Sequence, residues 1–179
     1  MKHTLVALVE NKPGVLNRVA SLFRRRNFNI DSLTVGRTEN PAISRMTIVV
    51  DADAEQVRKQ LYKLINVIQV EDVTDIPGVS RDLALIKVQV DSQTRSEVVQ
   101  LCDIFRARIV DVTPEAVIVE LTGDEQKIAS MVELLRPIGI LEMVRTGVVA
   151  MTRGDYVLAP NTYKIRAGSN SNGHRASVL

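Results

Sequence analysis

The chain has 179 residues, 45% of them hydrophobic, and a formal net charge of +2, which suits one large or two small globular domains and argues against a nucleic-acid binder, whose domain is usually strongly basic. A single cysteine (Cys102) and two histidines at opposite ends (His3, His174) exclude a disulfide framework and make a Cys- or His-based metal centre hard to build. No apolar run approaches the roughly 18 residues of a membrane span, and the N-terminus runs straight into a strand-like segment with no signal-peptide pattern, so a cytoplasmic protein is expected.

Thr4 to Val9 is a short apolar run bounded by Asn11, Pro13 and Gly14, which predicts a strand. Val15, Leu16, Val19, Leu22 and Phe23 follow at helical spacing, with Arg18 and Arg24 to Arg26 on other faces. Asn29 to Arg37 reads as a strand, Asn40-Pro41 as a turn, and Ser44 to Val50 as a strand with Met46, Ile48 and Val50 on one face. Asp53 is placed to cap a helix striped by Val57, Leu61, Leu64 and Ile65, and Val67 to Val73 is a fourth strand. The order is βαββαβ. Leu5 to Val9 is apolar on both faces, as expected where helices cover one side and another protein layer covers the other.

Pro77-Gly78 marks a linker over 77–80, and the order then repeats. Asp82 to Val90 is a strand. Ser96 to Arg106 is a helix striped by Val98, Leu101, Cys102 and Phe105. Ile109 to Val112 and Ala116 to Leu121 are strands around Thr113-Pro114. Ile128, Met131, Val132 and Leu135 stripe a second helix, and Gly139 to Met151 is a last extended stretch. The repeat is faintly legible in letters: Phe23 and its arginines before Ile30-Asp31 resemble Phe105-Arg-Ala-Arg before Val110-Asp111. The fold class is therefore α+β, two tandem ferredoxin-like βαββαβ domains over 1–76 and 81–155. From Tyr156 the periodicity fails, and 156–179 reads as a flexible tail.

Converging catalytic groups are missing. The carboxylate pairs Glu71-Asp72 and Asp124-Glu125 sit at element ends, where they read as caps or solvated turns, and Cys102 lies on an apolar stripe as a buried thiol. RNA-recognition modules share this topology but carry stacking aromatics on central strands; Ser44 to Val50 has none, and the chain holds six aromatic residues and no Trp. Arg24 to Arg26 read as a solvated helix end that complements the helix dipole.

Glu10 to Leu16 joins the first strand to the first helix. A helix N-terminus leaves free N–H groups and a partial positive charge suited to a carboxylate. Gly14 admits close approach to the backbone, and Asn11 can accept from an ammonium or donate to a carboxylate. An ordinary strand-to-helix turn uses the same Pro and Gly.

Asn-Lys-Pro-Gly-Val-Leu at 11–16, Phe28 to Val35, and Ser44 to Val49 resemble the ACT domain of acetolactate synthase (acetohydroxyacid synthase) small subunits. Pro-Gly-x-Leu is shared by most ACT domains; Asn29 to Val35 with Ser44 to Ile48 is more specific. The resemblance continues through Arg81 to Val88, Phe105 to Ala107, Ile109 to Pro114 and Arg145 to Gly154. It implies that the first domain is an ACT domain and that the chain is a non-catalytic regulatory subunit. Its partner would be the large catalytic subunit, which uses thiamine diphosphate, magnesium and FAD; this subunit would hold no cofactor or metal. It would activate that partner and confer feedback inhibition by valine on branched-chain amino-acid synthesis. Pockets of the family form between the ACT domains of a homodimer. One chain offers the loop matching Asn11, Gly14, Val15 and Leu16; the other offers the residues matching Asn29 and Ile30. Stand-alone amino-acid-sensing ACT proteins share the generic part of this pattern.

Overall fold

The computed structural model describes residues 1–158. Alternation in β1 (His3–Glu10) turns Leu5, Ala7 and Val9 toward α1 (Val15–Arg26) and α2 (Ala54–Leu61). Met46, Ile48 and Val50 of β3 (Ile43–Val50) join them, as does Val70 of β4 (Val67–Asp72). With β2 (Ile30–Arg37) the sheet order is β2-β3-β1-β4, every pair antiparallel, and β2 is an edge. On α1, Val15, Val19, Leu22 and Phe23 are buried while Arg24 to Arg26 stay exposed in the last turn. The second unit repeats the plan. It contains β5 (Gly78–Gln89), α3 (Thr94–Phe105), β6 (Arg108–Val112), β7 (Ala116–Gly123), α4 (Glu125–Leu135) and β8 (Ile140–Arg145), in the order β6-β7-β5-β8. Its core joins Ala84, Ile86 and Val88 to Val98, Cys102, Ile128 and Met131. Burial pushes the Cys102 thiol above its ordinary value, which suits a packing role. No helix of the described residues is long and apolar enough to cross a membrane.

Both units are βαββαβ as the sequence predicts, and the differences lie at the boundaries. Helix α2 stops at Leu61, and Ile65 is exposed beyond it. The helix C-caps correct the letter repeat. Asn27 and Arg106 both adopt left-handed backbone, and the next N–H, of Phe28 or Ala107, reaches back to the carbonyl of Phe23 or Cys102. Phe23 therefore corresponds to Cys102 rather than to Phe105. Residues 77–80 are no slack linker. From Gly78 on they are strand, because β9 (Val149–Thr152) pairs with Gly78 to Arg81. The stretch 139–151 is accordingly two strands separated by a turn at 146–148. Tyr156, expected to open the tail, is held by its hydroxyl donating to Glu71 Oε2 at 2.5 Å. Residues 159–179 of that tail lie outside the described residues.

The layer expected on the second face of β1 comes from the same chain. Val6 and Leu8 point away from the helices yet are buried. Leu8 pairs with Arg45, whose Nη2 donates to the Ala150 carbonyl at 2.8 Å. Thr4 lines a small cavity with Ala150, Met151 and Thr152. The ribbon of β9 and the start of β5 thus lies against the open face of the first sheet. Its position is set by Asp82, only 2% exposed. Arg145 Nε donates to Asp82 Oδ2 at 2.8 Å, and the Gly147 N–H donates to Oδ1 at 3.2 Å, with Thr146 Oγ1 3.1 Å from the same oxygen. The turn so held presents the Val148 N–H to Ser32 Oγ at 2.9 Å. At Gly147, φ is +91° and an added Cβ would stand 2.8 Å from Ser32 Oγ, so only glycine fits this approach.

Asp82→Ala removes an acceptor of several charge-assisted bonds, while Arg145 can turn to water. The expected loss of unfolding free energy is about 2–3 kcal/mol, measured by urea denaturation, with faster hydrogen exchange at the Val148 amide. A loss below about 0.5 kcal/mol, ordinary for a surface substitution, would show that the joint does not depend on this carboxylate.

Candidate functional site

The segment after β1 is braced before it turns into α1. The Asn11 N–H donates to the Ala42 carbonyl at 2.7 Å, and Asn11 Nδ2 donates to the Pro41 carbonyl at 2.8 Å. Both bonds tie the loop to the β2–β3 turn and leave Asn11 Oδ1 without a partner among the described residues. A second brace was not legible in the sequence. Asn66 Nδ2 donates to Glu10 Oε2 at 2.6 Å, and Arg18 Nη1 donates to Asn66 Oδ1 at 2.8 Å. Asn66 and then Lys12 hold the Glu10 carboxyl below its ordinary value. The only signal in the sequence was Asn66 just before β4, a residue type that reads equally as a plain turn.

Gly14 is the N-cap of α1, with φ +81° and no side chain to offer the helix. The Val15 N–H reaches the Lys12 carbonyl at a long 3.4 Å. Gly14, Leu16 and Asn17 N–H find no acceptor among the described residues. The other three helices are supplied with a carboxylate. Asp53 accepts from Glu55 and Gln56 N–H, Asp124 from Lys127 N–H, and Asp91 from Gln93 and Thr94 N–H at 2.8 Å. The Thr94 and then the Gln93 amide hold the Asp91 carboxyl below its ordinary value, which shows how such a helix start favours the anion. The same field stands open at Gly14. An added Cβ there would meet nothing within 4 Å among the described residues.

Val15 is buried in the core and Leu16 is 47% exposed, so Leu16, though on the expected stripe, faces outward and is the apolar side chain available to a ligand. Asn29 is exposed, with Nδ2 donating to Asp31 Oδ1 at 3.1 Å, and Ile30 is half-buried. One chain does not bring the two groups together. Ile30 pairs with Val50, which is level with His3, whereas Asn11 follows Glu10, which is level with Ile43. Seven strand rises separate these levels, about 23 Å. The six residues therefore fall into two groups at opposite ends of the sheet.

Among the described residues no three His, Cys, Asp or Glu side chains converge as a metal site would require. Residues 5–69 match the family described as the AHAS small subunit-like ACT domain, and residues 81–154 match the small subunit of acetolactate synthase. A chain of Archaeoglobus fulgidus named probable acetolactate synthase small subunit is 57% identical over 158 residues, which is 87% of this chain and 99% of that one. The acetolactate synthase small subunit of Mycobacterium bovis is 53% identical over 155 residues, 85% of this chain and 92% of its own. Among solved structures, the acetolactate synthase small subunit from Thermotoga maritima superposes with a TM-score of 0.81 at 44% identity, covering 87% of this chain and 99% of that one.

The open surroundings of Gly14 make a specific outcome expected for alanine there. Gly14→Ala should cost about 1–2 kcal/mol, the penalty of left-handed backbone for an L-residue, read from urea unfolding. A loss well above about 3 kcal/mol, as seen when a core is overpacked, would mean that Gly14 is packed and not available to a ligand.

Proposed function

This chain belongs to the acetolactate synthase small-subunit family, and we propose that it activates the large catalytic subunit and makes it inhibitable by valine, whose carboxylate sits on the N-terminus of α1. The observation that carries this reading is the start of α1 at Gly14, a helix terminus with free N–H groups and no carboxylate of its own beside a half-exposed leucine. Gly14 and Leu16 present free backbone N–H groups to the carboxylate, and the Val15 N–H, on its long bond to Lys12, joins them. Asn11 Oδ1 accepts from the ammonium, and Leu16 lies against the side chain. Burying a valine side chain contributes about 1.5–3 kcal/mol. One methylene is worth about 1–3 kcal/mol, so leucine and isoleucine should bind more weakly rather than not at all.

The second half-site comes from a second copy. β2 pairs only with β3 and leaves its other edge open among the described residues. A two-fold axis pairing β2 with its copy, antiparallel, would set Ile30 of one chain beside Arg37 of the other. That is the end of the sheet where Asn11 holds the β2–β3 turn. Asn29 and Ile30 of the copy would then close the slot over Leu16. Catalysis resides in the large subunit, with its thiamine diphosphate, magnesium and FAD; this chain contributes the sensor, in the cytoplasm.

Two measurements test this. Gly14→Asp places a carboxylate against that of valine. Two like charges about 4 Å apart at an effective dielectric near 20 repel by about 4 kcal/mol, nearly a thousandfold in affinity. The reconstituted enzyme should keep its acetolactate formation and lose inhibition across a valine titration, and Asn29→His should act less completely. Unchanged valine sensitivity in Gly14→Asp would refute the pocket. Sedimentation of the full chain at micromolar concentration should give at least a dimer; a monomer mass would refute the shared site.

A further inference from the structure

The ribbon laid across the first sheet does not seal it. Between them runs a cleft of about 670 Å³, within the range of small-molecule sites, roughly 300–1,000 Å³. Arg37 and Arg45 reach it from the first sheet, Arg81 from β5 and Arg153 from the segment after β9, and no aspartate or glutamate lines it. Among the described residues none of the four forms an ion pair. Such gathering of like charge is unfavourable unless an anion answers it, and Arg45, half-buried where the other three are exposed, would ordinarily have a carboxylate beside it.

Three of the four guanidiniums are also braced. Arg45 Nη2 donates to the Ala150 carbonyl at 2.8 Å, Arg81 Nη1 to the Ser80 carbonyl at 2.7 Å, and Arg153 Nε to the Gly78 carbonyl at 3.1 Å. Each bond uses one of five donors and holds the rest of the fork in place. Burial pushes the Arg45 guanidinium below its ordinary value, which an anion would reverse. The walls between the arginines include Val79 and Met151, and Met151 is largely exposed. An apolar wall with a few fixed charges is the pattern of a site for an amphiphilic anion. Cations from both units line one space, so a ligand there would also bridge the two units. We propose that this interdomain cleft binds a small organic anion with at least two negative charges on an aliphatic body, an alkyl phosphate or an aliphatic dicarboxylate.

The test is calorimetric titration of the full chain with pentyl phosphate, adipate, inorganic phosphate and pentanol. Pentyl phosphate or adipate should bind at least about tenfold tighter than inorganic phosphate, as the apolar body predicts, and pentanol should not bind measurably. The tighter of the two anions identifies the head group. Arg81→Gln and Arg153→Gln change exposed side chains and should each weaken binding about tenfold, the worth of a charge-assisted bond. Arg24→Gln, at the exposed end of α1, should leave it unchanged. Urea unfolding of each variant confirms that the fold is retained. Absence of binding by both amphiphilic anions, or equal losses in Arg24→Gln and Arg153→Gln, would overturn the proposal. Competition between pentyl phosphate and adipate tests the single site without any substitution; independent binding of the two would also overturn it.

Discussion

Asp82 is a carboxylate buried in a strand of otherwise apolar inward residues, and the relation between the two halves of the chain rests on it. A buried charge is tolerated only when its lone pairs are taken up. Here Arg145, Thr146 and the Gly147 amide take them up. Those partners come from the turn between β8 and β9, so satisfying the charge fixes that turn. The turn in turn fixes where Val148 meets Ser32 and where β9 runs. Two ferredoxin-like units that each possess a complete core are thereby joined through one strand, β5, which belongs to the second sheet along most of its length and to the ribbon at its start.

That junction divides the surface of the first unit. The helix face is closed by its own core. The opposite face is covered by the ribbon in the same chain, which buries Val6 and Leu8 and leaves the arginine-lined cleft where coverage is incomplete. Among the described residues, what stays unpaired is the β2 edge and the β4 edge, together with the end of the sheet at Gly14. An apolar second face on β1 is therefore no evidence for a second subunit. The proposed dimer rests instead on the separation of the two residue groups, since no rearrangement of one rigid sheet brings Asn29 to Gly14. Ser32 and Thr34 sit on β2 and face the joint, while the outer edge of the same strand is the proposed dimer contact.

Gly14 shows how a site and a fold make different demands on the same kind of position. At the other helix starts an aspartate supplies the anion that the dipole favours, so stability is served within the chain. At α1 the glycine leaves that interaction unmade. The loop is instead held from below, by Asn11 on the β2–β3 turn and by Glu10, Asn66 and Arg18 beside it. A loop fixed by such bonds presents its N–H groups already ordered, which would limit the entropic cost of binding the proposed effector.

Periodicity in the sequence determined the two βαββαβ units, the buried face of β3, most of each helix stripe (Leu16 and Ile65 excepted), and the inert setting of Cys102, because each depends on residues close together along the chain. The Asn11-to-Leu16 motif was legible for the same reason: strand end, proline, glycine and helix start are contiguous. Tertiary structure alone decided that residues 77–80 are strand, since their partner lies some seventy residues onward in β9. It also decided that Val6 and Leu8 are covered from within, that Leu16 faces outward, and that Asn29 and Ile30 stand at the far end of the sheet from Gly14. The importance of Asp82, and the convergence of Arg37, Arg45, Arg81 and Arg153, were equally invisible, because a charged residue in a sequence shows its sign but not its neighbours. Alternation reports which face a side chain takes; only the packing of one unit on the other reports what that face meets.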